Sequence, residues 1–112
     1  MKKSFQMMGV THAQNHAGKG DFAPQVENLS GCSPFVLVCE HAQAHIPHEF
    51  DNLGLEADAL DSHIAWDPGA LETAQCLSKK LDAALIYTTV SRLIYDCNRP
   101  PTAESAMPKC SE

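Results

Sequence analysis

The run Phe35-Val36-Leu37-Val38-Cys39 is apolar at every position. A stretch of strand length without polar alternation is expected of a strand covered on both faces. It stops at Glu40-His41, and Pro47 biases the preceding Ile46 away from helix, so a loop follows the strand. Leu53, Leu55, Ala59, Leu60 and Ile64 predict a short helix within residues 52–66. Asp67-Pro68 then reads as a helix start, with an acceptor side chain at the cap and proline in the first turn. Ala70, Ala74, Leu77 and Leu81 recur at i, i+4, i+7 and i+11, placing one apolar face on a helix that runs to about Asp82. Leu85 to Val90 is a second strand, rich in β-branched and aromatic residues. Strand, helix, strand implies a right-handed crossover and an α/β fold whose ligand site lies at the carboxyl ends of the strands.

Residues 1–32 show neither period and are rich in Gly, Asn, Gln and His, so they read as a flexible or extended lead-in, with the folded unit spanning 33–112. A chain of 112 residues has room for one domain. Its formal charge of −6 argues against a general nucleic-acid or anionic-membrane binder, so any anion site must be local. The five cysteines are scattered, with no zinc-type spacing, and read as reduced thiols in the cytoplasm. No export signal and no membrane span is visible.

The candidate chemistry lies at the two predicted strand ends. His41 follows a strand directly, which aims its side chain into the expected crevice. His45 and His48 would align with it on a continuous helix, but a helix through Pro47 costs about 3 kcal/mol, so they read as surface residues. The segment from Arg92 to Arg99 gathers two arginines, Asp96 and Asn98. A guanidinium fork matches the two oxygens of a carboxylate and stays charged, which suits an anion clamp. The alternative is a solvated turn in which both arginines pair with Asp96. Asp67 is open to the same choice between a site role and a helix cap, and Cys39 and Cys97 read as structural. No nucleophile elbow, phosphate loop or dinucleotide fingerprint occurs.

The segments Ser33 to Ala42 with Ile46-Pro47, Leu53-Gly54-Leu55, His63 to Ala70, and Ser91-Arg92-Leu93 with Asp96, Asn98, Arg99 and Pro100 together resemble the N-formylglutamate amidohydrolase family. The resemblance implies a three-layer α/β fold, mostly parallel or mixed, similar to zinc carboxypeptidases and aspartoacylase and incomplete in this chain. It implies zinc held by His41, with Asp67 as a further contact, Arg92 stabilising the developing oxyanion, and Asn98 and Arg99 holding a substrate carboxylate. The implied reaction is hydrolysis of a small N-formyl or N-acyl amino acid such as N-formylglutamate. Ala44 stands where a carboxypeptidase-type second ligand is expected, and the later His ligand and carboxylate base expected by analogy are absent. The implied chain is thus the amino-terminal part of a hydrolase, inactive alone. The alternatives are a non-catalytic module that binds carboxylates and a truncated product without independent function.

Overall fold

The computed structural model describes residues 22–107. Three strands form one mixed sheet in the order β1-β3-β2: β1 is Gln25–Glu27, β2 is Val36–Cys39 and β3 is Ala84–Tyr87. Strands β2 and β3 are parallel, with Val36 opposite Ala84 and Cys39 opposite Tyr87. Strand β1 is antiparallel to β3, with Val26 opposite Ile86. It forms within the stretch expected to be a lead-in, of which residues 1–21 lie outside the described region. Three residues carry too little periodicity to announce a strand, and their order comes from pairing with β3.

The parallel pair is joined by helix α2, Ala70–Leu81, which follows the short helix α1, Ala57–Leu60. Ala70, Leu71 and Ala74 of α2 pack with Leu37 and Tyr87 against the buried Cys39, Ala42 and Leu85. The predicted apolar stripe is therefore used in its first half, while Leu77 and Leu81 stay exposed. Among the described residues the helix covers one face of the sheet, so two layers of the expected three are present.

The helix expected within 52–66 is reduced to the single turn of α1. Ahead of it, a 3₁₀ segment His48–Gly54 is broken by Asp51, Asn52 and Leu53, which all take left-handed backbone angles. Behind it, the Ser62 hydroxyl donates to the Ala59 carbonyl, a local bond that competes with further helix. No buried residue lies in α1, and so short a helix has little to stabilise it without packing.

The predicted cap at Asp67 also changes. Gly69, with φ of 83°, occupies the cap position of α2, and no side chain caps the helix. Asp67 contributes only its carbonyl, which accepts from Ala70 N–H at 3.1 Å. Its carboxylate is engaged elsewhere.

Candidate active site

Three loops meet beyond the carboxyl ends of β2 and β3, and buried hydrogen bonds tie them together. Thr88, just past β3, donates its hydroxyl to the Glu40 carbonyl at 2.8 Å, locking the exit of one strand to the exit of its neighbour. The fully buried Ser91 donates its hydroxyl to the Ala65 carbonyl at 2.7 Å and its N–H to the His45 carbonyl at 2.7 Å. Asp67 N–H donates to the His41 carbonyl at 3.0 Å. The segments around His41, Asp67 and Arg92 are thereby held in one arrangement by the backbone.

His41 is buried between two carboxylates. Its Nε2 lies 2.7 Å from Asp96 Oδ1 and its Nδ1 lies 3.2 Å from Asp67 Oδ2. A neutral imidazole has one N–H, so it donates to one of these acceptors and turns a lone pair towards the other, whereas an imidazolium donates to both. Asp96 is only 5% exposed. Besides His41 it accepts the Asn98 N–H at 3.0 Å and the Arg99 Nε–H at 3.2 Å, and it meets Arg92 Nη2 at 3.5 Å. Burial pushes the Asp96 carboxyl up, but the His41 hydrogen bond and charge, the Asn98 N–H and the Arg99 guanidinium outweigh it. Together they hold the carboxyl below the usual carboxylate range.

Arg92 spans the two acids, with Nη1 3.4 Å from Asp67 Oδ1 and Nη2 3.5 Å from Asp96 Oδ2. Arg99 extends from Asp96 to the Ser105 hydroxyl, 3.3 Å from Nη1. The solvated-turn alternative is therefore half realised: both arginines pair with Asp96, but Asp96 is buried and His41 shares it. Asn98 is exposed on the same turn, and His45 and His48 are exposed as well.

The two strand ends form one hydrogen-bonded network but open on two clefts. His41 and Asp67 line a groove of about 590 Å³ between β2 and the start of α2. Arg92, Asp96 and Arg99 line a second cleft of about 250 Å³ with His63, Ile64, Leu93 and Ser105. The two stretches expected to share a crevice are in direct contact, His41 with Asp96 and Asp67 with Arg92. Asp96, His63 and Ser105 are the residues that sequence reasoning did not place in the site. The spacing of Asp96 between Arg92 and Arg99 signalled the arginine contacts, and nothing local signalled His41. Cys39 is buried, and burial followed by the Glu40 and Asp67 charges pushes its thiol up, whereas Cys97 is exposed.

As a zinc site the residues fit in part. Two ligands at zinc–nitrogen and zinc–oxygen lengths in tetrahedral array lie roughly 3.3 Å apart, and His41 Nδ1 and Asp67 Oδ2 are 3.2 Å apart. A carboxylate on the other ring nitrogen, as Asp96 supplies, is the usual support of a metal-binding histidine. Among the described residues, however, no three His, Cys, Asp or Glu side chains converge as a metal set.

The family model for N-formylglutamate amidohydrolase matches residues 33–112. The chain belongs to that family. It is also similar to the crystal structure of a gene product from Agrobacterium tumefaciens, at 52% identity and a TM-score of 0.76, over 87% of this chain and 37% of that one. The chain thus spans well under half the length of this solved family relative. No curated protein sequence matches it. Among the described residues no helix is long and apolar enough to cross a membrane.

Proposed function

We propose that this chain supplies the amino-terminal part of the active site of a zinc-dependent hydrolase acting on the amide bond of an N-formyl or N-acyl amino acid such as N-formylglutamate. The observation that carries the reading is Asp96, whose carboxylate joins the candidate metal ligand His41 to both arginines in a member of this family. In this reading His41 and Asp67 hold the metal within a zinc-carboxypeptidase-like architecture. Zinc bound there supplies polarisation of the scissile carbonyl and activation of water. Asp96 fixes the His41 ring by accepting its Nε2–H. Arg92, poised between Asp67 and Asp96, offers guanidinium N–H donors to charge developing on the carbonyl oxygen. Arg99 and Asn98 bind the substrate carboxylate from the neighbouring cleft. Hydrolysis adds water across the C–N bond, releasing formate and the amino acid, whose amine takes the proton.

The test is formate release from N-formylglutamate, with and without zinc, for this chain and for the Agrobacterium gene product. Zinc-dependent release by the longer protein, abolished when its counterparts of His41 or Arg92 are replaced, is the expected result. A longer protein that hydrolyses no N-acyl amino acid with zinc present overturns it.

A carboxylate-binding module without catalysis is the second reading, favoured because, among the described residues, no three His, Cys, Asp or Glu side chains converge as a metal set. Calorimetry with glutamate in the absence of metal separates the two. Binding that disappears in Arg99→Ala supports the module, and binding that requires zinc supports the hydrolase.

A further inference from the structure

Arg99 is followed by Pro100-Pro101, whose rings fix two successive backbone angles. The chain reverses there, with Ala103 N–H donating to the Pro100 carbonyl at 2.9 Å. A short 3₁₀ turn, Glu104–Ala106, follows. It is pinned against the site, because Ala106 is buried and its carbonyl accepts the Asp96 N–H at 2.9 Å. Ser105, in the middle of that turn, is thereby returned to Arg99, and the two side chains meet.

The Arg99 guanidinium is held at two points, Nε–H on Asp96 Oδ2 at 3.2 Å and Nη1–H on the Ser105 hydroxyl at 3.3 Å. A guanidinium has only donors, so the Ser105 oxygen accepts here and its own proton is left for a different acceptor. Among the described residues neither that proton nor Arg99 Nη2 has one. Both side chains line the cleft of about 250 Å³, to which Ile64 and Leu93 add apolar surface. Arg92, the other arginine of the cleft, shares its charge between Asp67 and Asp96, whereas Arg99 touches one acid and its side chain is 46% exposed. An incoming anion therefore finds its free donors at Arg99 and Ser105.

We propose that Ser105 is a further substrate-binding residue, whose hydroxyl donates to one oxygen of a ligand carboxylate while Arg99 Nη2 donates to the other. The ligand class is a small aliphatic carboxylate whose carbon chain lies on Ile64 and Leu93. The same hydroxyl also positions Arg99, since without it the guanidinium is fixed through Nε alone. The inference rests on the reading that Arg99 faces the substrate carboxylate, and adds to it a residue from outside the arginine segment.

The test is titration of this chain with glutamate, in the absence and in the presence of zinc. Affinity is read by calorimetry, and the Arg99 Nε–H resonance is followed by NMR. A saturable shift of that resonance is expected, with affinity about tenfold lower in Ser105→Ala, as for one lost hydrogen bond to a charged group. Ser105→Thr keeps the hydroxyl and is expected to restore binding to within about twofold of wild type. Ser105 is exposed, so neither change is expected to move the thermal melt, which separates a lost contact from a lost fold. The inference is overturned by glutamate that leaves the Arg99 resonance unmoved, by Ser105→Ala binding as well as wild type, or by a loss that Ser105→Thr does not restore. The hydrolase reading fails separately. Ser105-dependent glutamate binding stands when no N-acyl amino acid is cleaved, and zinc-dependent formate release stands when Ser105 proves dispensable.

Discussion

His41 Nε2 and Asp96 Oδ1 lie 2.7 Å apart although 55 positions separate them, and both residues are buried. This contact joins the exit of β2 to the arginine-bearing turn beyond β3. It makes Asp96 the hub of the site, because the same carboxylate also holds Arg99 and meets Arg92.

Asp96→Asn removes the charge shared by the Arg92 and Arg99 guanidinium groups and the His41 ring while keeping one acceptor oxygen. Breaking a buried pair by removing one partner leaves the others unpaired, so a loss of about 2–4 kcal/mol is expected. Urea unfolding at neutral pH measures it. A loss below about 0.5 kcal/mol, the level of an ordinary surface change, sinks the hub assignment.

Arg92 reaches Asp67 and Asp96 through two different guanidinium nitrogens. A lysine has one ammonium and cannot reproduce the fork. Arg92→Lys is expected to weaken binding of a glutamate-like ligand about tenfold, equivalent to about 1.4 kcal/mol. Calorimetry showing unchanged affinity argues that charge alone suffices.

Asp82 ends α2 with a left-handed backbone and gathers the incoming chain, accepting the Cys32 N–H and the Asn28 side-chain amide. These two hydrogen bonds hold its carboxyl below the usual carboxylate range. A depressed folded pKa contributes stability that is full above the unfolded value, about 3.9, and is lost as pH falls through the lower folded value. The wild-type advantage over Asp82→Asn should therefore be constant from neutral pH to about 5 and shrink below the unfolded value. Denaturant titrations across that range test the sign, and an advantage that grows on acidification contradicts it.

Gly31 passes so close to the same turn that an added Cβ falls against the Asp82 carbonyl and the Asn28 amide nitrogen. Backbone cannot yield as a flexible side chain does. Gly31→Ala is expected to cost about 1–3 kcal/mol and lower the melting temperature, whereas Gly54→Ala has open space and pays only for its positive φ. Equal melting temperatures for Gly31→Ala and wild type would show that the close approach relaxes freely.

Much of the fold was legible because the decisive patterns are local. The unbroken apolar run at β2 and the stripe on α2 are periodicities, and they were read nearly to the observed bounds. Strand β1 and the fate of residues 52–66 were not, because Gln25–Glu27 is ordered by a partner some sixty positions away and α1 has no face to bury. The family was legible too, since several spaced motifs occur together, and the family match runs over the same residues 33–112.

The sequence by itself determined the α/β alternation, the family and the positions of His41 and the arginine segment, because each rests on neighbours in the chain. Only the tertiary structure decided that the Asp67 carboxylate meets His41 and Arg92 instead of capping the helix, that Asp96 unites His41 with both arginines, and that these residues line two neighbouring clefts. Those outcomes depend on which acceptor a buried donor meets across the sheet. A buried imidazole, with two nitrogens to satisfy and little water to do it, settles where two carboxylates from distant loops converge.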